Sequence, residues 1–214
     1  MSSGSAPSTA VADATAVPPS RITLRTVLIA AASEVIIALF IIHFTQPAAI
    51  GGIARELVPS LQGAGIGLVV GIGMAMLQIA GINGSQRWRD FLLRALGRTT
   101  LGTTHIVIIG IVVGIAEELL FRAAIQPLVG ITLTSLIFAA VHWNYAAVRG
   151  RREVLVFSAL AFALIFLISV VVGHVFVAFG LGAAVVAHAS YDIVVLLKYR
   201  SLARMQDVSL TSGR

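Results

Sequence analysis

Apolar residues in this chain fall into long, almost unbroken runs divided by short polar or basic stretches. The pattern has neither the period of a surface helix nor the alternation of a half-buried strand. Runs near 26–45, 63–82, 103–126 and 154–178 reach the roughly 20 residues needed to cross a hydrocarbon core about 30 Å thick. Two shorter runs, 129–143 and 182–198, complete the set, the last divided from its predecessor only by Phe179-Gly180-Leu181. The pattern predicts an all-α, polytopic membrane helix bundle of about six transmembrane helices over 25–200. Fusion of the short fourth run with a neighbour is the alternative. Residues 1–24, rich in Ser, Ala, Thr and Pro, bury too little apolar surface to repay ordering and are expected to form a disordered tail. A cleaved signal peptide is not expected, because a long polar stretch precedes a run that exceeds a usual signal core. Residues 201–214 are expected to form a short cytoplasmic tail.

Composition agrees with the pattern, since 58% of the 214 residues are hydrophobic and only 11% charged. The net charge of +6 is spread in clusters between apolar runs, so it reads as topology and not as a nucleic-acid face. Alternate connecting segments carry Arg21 and Arg25, then Arg87, Arg89, Arg94 and Arg98, then Arg149, Arg151 and Arg152, then Lys198, Arg200, Arg204 and Arg214. Of the 15 basic residues only Arg55, on the opposite side, and Arg122, inside a run, fall outside this series. Cytoplasmic loops hold the excess of Lys and Arg, which places both termini in the cytoplasm. The expected location is a plasma membrane of bacterial type, crossed several times. The stretch Arg87–Arg98 interleaves Trp88, Phe91, Leu92 and Leu93 with arginines. It reads equally as an interfacial amphipathic helix with Trp88 at headgroup level or as a plain orienting loop. Without cysteine, disulfides, thiolate metal sites and Cys nucleophiles are all excluded. No GxSxG elbow and no GxGD pair is present either.

Against this apolar background three ionisable strings stand out: Glu117-Glu118-Leu119-Leu120-Phe121-Arg122, Phe138-Ala139-Ala140-Val141-His142 and His188-Ala189-Ser190-Tyr191-Asp192. A charge at bilayer depth costs several kcal/mol, so such groups must face one another or a wet cavity. Glu118 and Arg122, four residues apart, share a helical face, and a structural ion pair is the favoured reading for them. Glu117 is turned about 100° from its neighbour and has no partner on its own helix, the setting of a general base. His188 and Asp192 also share a face. Counting about 1.5 Å per residue from span ends near Pro127, Leu128 and Leu181 puts Glu117 roughly 15 Å, His142 roughly 21 Å, His188 roughly 10 Å and Asp192 roughly 16 Å deep. Helix tilt is needed for one cavity to hold all four. Two His, a Glu and an Asp also make a nitrogen and oxygen donor set of the kind zinc takes, with Glu117, His142, His188 and, as a further ligand, Asp192. The absence of an HExxH string tips the balance toward a metal-free site, so the cofactor is either none or a divalent metal such as zinc.

Together, in order, the strings resemble the motifs of the CPBP family of intramembrane proteases, also called the Abi family, which includes the CAAX proteases often described as metalloproteases: Glu-Glu-x-x-x-Arg, Phe-x-x-x-His and His-x-x-x-Asn/Asp. The resemblance covers 117–192, within a core expected at about 100–198. It implies an endopeptidase of CAAX-box processing type, in which Glu117 and His142 activate a water and His188 and Asp192 stabilise the oxyanion. Glu118 and Arg122 would hold the site together, with Phe138 as motif support. Asp192 stands where the eukaryotic prenyl-protein endopeptidases have Asn, and it donates a hydrogen bond only when protonated. The implied partners are a membrane-associated peptide or protein substrate and the bilayer, with no nucleic acid. A non-catalytic, immunity-type membrane partner and a proton-coupled transporter are the competing readings.

Some polar residues in the runs are left outside the site. Glu34 reads as structural, pairing with a neighbouring span, with a place in a cavity as the alternative; His43 and His105 lie near run ends, and His174 reads as a packing histidine. Gly63, Gly65, Gly67, Gly71 and Gly73 give the second run a small-residue face for close helix packing, with dimerisation as the alternative.

Overall fold

The computed structural model describes residues 23–96, 101–143 and 152–212, and every element within them is helical. Helix α1 (Leu24–Thr45) is followed by a 3-10 turn (Pro47–Gly52) and the short α2 (Ile53–Glu56), then α3 (Leu61–Gly84) and α4 (Gln86–Leu96). Helix α5 (Thr103–Glu118) runs without interruption into a π-helical segment (Leu119–Ile125) and α6 (Gln126–Val141). Two long helices, α7 (Arg152–Phe179) and α8 (Leu181–Ser212), complete the bundle. Only Thr23 and Leu24 of the expected N-terminal tail fall within the described residues. There the Thr23 hydroxyl accepts from the Thr26 N–H, and the Thr26 hydroxyl accepts from the Thr23 N–H, so α1 starts on a capping box. Arg21, Arg98, Arg149, Arg151 and Arg214, five of the charges in the loop series, lie outside the described residues.

Among the described residues, four helices are long and apolar enough to cross a membrane: Leu24–Thr45, Leu61–Gly84, Leu155–Phe179 and Leu181–Met205. Helices α5 and α6 have 16 residues each and fall short individually. They are not two simple rods, however. The break expected near Pro127 and Leu128 falls at Gly130, whose φ of 80° and ψ of 170° only glycine adopts readily, so the helical path from Thr103 continues past Pro127. It does so by widening, with the Gln126 N–H bonding the carbonyl of Phe121, five residues back. Pro127 has no N–H for the Ala123 carbonyl, and that carbonyl receives the Gln46 side-chain amide at 3.4 Å instead. The π segment is thereby tied to the end of α1. The break at Gly180 matches the sequence reading: its φ is 84°, and its N–H bonds the Phe176 carbonyl at 2.8 Å as α7 ends.

Helix α4 is the amphipathic element, but Trp88 turns inward and does not sit at the periphery. Trp88, Phe91 and Leu92 are buried, and the rings of Trp88 and Phe91 pack on Phe157 of α7 at 5.8 and 5.7 Å. Outward apolar side chains such as Ile36 and Phe40 on α1, Val69 and Leu77 on α3 and Leu167 on α7 stay exposed, as lipid-facing positions do.

Helix α8 is clasped between two glycine faces. On α3 the glycines divide into two sides: Gly63, Gly67 and Gly71 are buried against α8, whereas a Cβ at Gly65 or Gly73 would meet nothing within 4 Å. A Cβ at Gly67 would collide with the Ala183 carbonyl, and one at Gly71 with the Ala187 carbonyl and the Ser190 hydroxyl. From the other side, a Cβ at Gly110 would lie 2.6 Å from Ile193 Cγ1, and one at Gly114 3.1 Å from the Ala189 amide nitrogen. The glycine face of α3 is therefore an internal seam. Gly71→Leu should push α8 away and cost about 1–3 kcal/mol or more through overpacking. Gly73→Leu, on the open side, should be tolerated, and thermal denaturation of both variants in the same detergent measures the contrast.

Candidate active site

The three strings meet where α5, the π segment, α6 and α8 converge. Glu118 is fully buried and spends both carboxylate oxygens: Oε2 accepts from Arg122 Nε at 2.9 Å, and Oε1 accepts from His188 Nδ1 at 2.6 Å. The ion pair expected of Glu118 and Arg122 is present, and Glu118 has a second task in orienting His188. Arg122, also fully buried, donates from its two terminal nitrogens to Ser169 Oγ on α7 at 2.9 Å and to Gln126 Oε1 at 3.4 Å. Gln126 passes the connection on, donating to the Gly173 carbonyl at 3.2 Å. A buried guanidinium is stable only with such a complete set of partners.

Glu117 projects on the other side of its helix, toward two imidazoles. Its Oε1 lies 3.7 Å from His142 Nε2 and its Oε2 3.6 Å from His188 Nε2, while Asp192 Oδ2 lies 3.6 Å from the same His188 nitrogen. These separations exceed a direct hydrogen bond and suit groups that share a water. Glu117 Oε2 is buried without a hydrogen-bond partner, so one acceptor in the middle of the cluster is left for an incoming donor.

His142 is not inside a helix but forms the C-cap of α6. Its Nδ1 lies 2.8 Å from the Phe138 carbonyl, which only accepts, so Nδ1 carries a proton and Nε2 is turned toward Glu117. Phe138 holds the geometry: its ring stacks on His142 at 4.3 Å, meets His188 edge-on at 6.0 Å and Phe121 edge-on at 4.8 Å, and lies 5.8 Å below the Arg122 guanidinium carbon. The spread of depths counted from span ends therefore closes to contact, because the helix break lies at Gly130 and His142 stands on a helix end.

A cavity of about 330 Å³ opens on this cluster. Glu118, Arg122, His142, His188 and Asp192 form its polar wall, and Phe91, Leu92, Ile165, Val172 and Leu196 are among its apolar lining. Gln78 and Tyr191, which sequence reasoning passed over, also line it, with the Tyr191 hydroxyl donating to Gln78 Oε1. Ser169, Gln126 and Gln78 are the missed members of the polar network. Ser169 and Gly173 sit four apart on α7, matching the spacing of Arg122 and Gln126, and that correspondence was the available signal. Of the residues set aside, His174 is exposed and is not a packed core histidine, and His105 is exposed near the start of α5. Glu34 lies close enough to Glu117, His142 and His188 to interact electrostatically with all three.

Among the described residues no group of three His, Asp or Glu side chains is arranged to hold a metal ion. The set Glu117, His142, His188 and Asp192 surrounds a gap but does not form a ready coordination shell.

Helices apolar enough to cross a bilayer, enclosing a buried carboxylate opposite two histidines and an apolar cavity, describe a membrane-type helical protein with a polar cluster held inside its bundle. Residues 99–194 match the family model described as type II CAAX prenyl endopeptidase Rce1-like. A 41-residue stretch is 44% identical to the uncharacterized protein YpbD of Bacillus subtilis (strain 168), covering 19% of this chain and 22% of YpbD. The chain thus spans about a fifth of the length of that relative. No solved structure matches the chain.

Arg122→Ala should leave the buried Glu118 without its guanidinium counter-charge and destabilise the fold by about 3–5 kcal/mol. Ser169→Ala removes one of the hydrogen bonds to Arg122 and should cost about 1.5–3 kcal/mol. Folded yield and melting temperature in detergent give the order of the two.

Proposed function

We propose that the chain is an intramembrane endopeptidase that hydrolyses a peptide bond of a membrane-associated peptide or protein, with water activated by Glu117 and His142. The observation that carries this reading is the buried, unpartnered Glu117 Oε2 set between His142 Nε2 and His188 Nε2. A water held there donates one proton toward Glu117 and the other toward the His142 lone pair, leaving an oxygen lone pair for the substrate carbonyl carbon. As the C–O bond forms, Glu117 takes the proton and the carbonyl oxygen becomes an oxyanion.

His188 is the donor that can meet that oxyanion. With Nδ1–H held by Glu118, a doubly protonated ring presents Nε2–H to the site. Asp192, an acceptor when ionised, serves this scheme by steadying the charged imidazole, so its difference from Asn changes a direct donor into a positioning group. Collapse of the tetrahedral intermediate breaks the C–N bond, and Glu117 returns its proton to the leaving nitrogen. The products are a carboxylic acid and an amine, and transfer of the acid's remaining proton turns them into a carboxylate and an ammonium. The apolar cavity beside the cluster supports a substrate with apolar residues next to the scissile bond.

Six crossings with both termini cytoplasmic is the topology that suits this reading. Helix α5 would cross through the π segment as far as Gly130, and α6 would be a short return. The substrate would then meet the cluster within the membrane. A transporter reading has no comparable support, since the polar groups form one compact site and not a chain across the bundle.

Purified protein incubated with a peptide library in detergent should yield cleavage products, and Glu117→Gln and His142→Ala should each lower the rate by about 10²–10⁴-fold while the protein remains folded. Unimpaired turnover by Glu117→Gln would overturn the assignment. A strong chelator should leave the rate unchanged; loss restored by a divalent ion would assign water activation to a metal.

A further inference from the structure

Two of the carboxylates near the cluster stand outside the cavity lining. His142, His188 and Asp192 line the cavity, but Glu117 and Glu34 do not. Glu34 belongs to the face of α1 that carries the buried residues Ala31, Ala38 and Ile42, three before, four after and eight after it. That face packs on α5 and the π segment, the stretch that bears Glu117. Glu34 is half-buried and makes no hydrogen bond or ion pair among the described residues, yet it interacts with Glu117, His142 and His188.

The charge balance around it is one-sided. Glu118 is paired directly with Arg122, whereas the nearest cationic partners of Glu117 and Asp192 are the two imidazoles and Glu34 has no ion pair at all among the described residues. Glu34 is more open than Glu117, which is nine-tenths buried with an unpartnered oxygen. Of the two, Glu34 is the carboxylate more open to an incoming cation. An ammonium or guanidinium at membrane depth is costly unless it finds an anion, so a carboxylate without a partner of its own selects for one.

Resting on the endopeptidase reading, we propose that Glu34 is a specificity-determining residue that binds a cationic group of the substrate, a Lys or Arg side chain on the side of the scissile bond opposite the apolar cavity. A bound peptide then lies across the site with apolar residues against Phe91, Leu92 and Val172 and its cation against α1.

Two readouts separate this inference from the reaction itself. The first is binding, with the probes dansyl-Leu-Leu-Lys-amide and dansyl-Leu-Leu-Glu-amide titrated against the full chain in neutral detergent. The native protein should bind the Lys probe at least about tenfold more tightly than the Glu probe. Glu34→Gln should erase the difference, and Glu34→Lys should reverse it. The second is the peptide library, where bonds cut by the native protein should be flanked on one side by Lys or Arg, and bonds cut by Glu34→Lys by Asp or Glu. Equal binding of both probes by the native protein, or an unaltered preference in Glu34→Lys, overturns the role of Glu34. Cleavage with no charge preference would sink this inference and leave the protease standing; a charge preference that follows residue 34 with no cleavage would do the opposite.

Discussion

The Glu118 carboxylate is the point on which the arrangement depends. It is removed from solvent, and its two oxygens are committed to Arg122 and His188, so a single anion joins the α5 end of one helical path to α8. Removing either partner would leave charge stranded in an apolar interior, where no water is at hand to take it up. Arg122 extends the join to α7 through Ser169, and Gln126 extends it again to the Gly173 carbonyl. Three helices that have no hydrophobic reason to prefer one another over lipid are thus held in a single rotational setting.

The glycine seams make this possible. Imidazole and carboxylate are short, and His188 reaches Glu118 only because α8 sits close to α5 at Gly110 and Gly114. On its far side α3 comes equally close, through Gly63, Gly67 and Gly71. Small residues and buried charges, which look unrelated along the chain, are two parts of one device: the first sets the distance at which the second can bond.

Much of this was legible before any coordinates. The helical class, the break at Gly180, the Glu118–Arg122 pair and the membership of Glu117, His142, His188 and Asp192 in one cluster follow from run lengths, four-residue spacings and the cost of burying charge. Depth counting failed for His142 because it assumes straight helices, and the path bends at Gly130 and widens before Pro127. Trp88 was misplaced because an Arg-rich amphipathic stretch leaves open whether its apolar face meets lipid or the bundle, and here Phe157 receives it. Glu34 was read as structural and Ser169 was passed over because a lone polar residue in a long apolar run says nothing of which helix it will face.

The π segment carries a consequence for how the chain can vary. A π turn amounts to one residue more than an α-helical path over the same distance would use. Between the two glutamates and Pro127, the surplus residue is therefore absorbed locally. Deleting any single residue other than Arg122 from Leu119–Ile125 would let the backbone relax to the ordinary helical pitch over the same distance, so Glu117 would keep its setting against the helix beyond Pro127. Arg122 would not: one of its two four-residue spacings, to Glu118 or to Gln126, would shrink to three and turn its side chain about 100° from that partner.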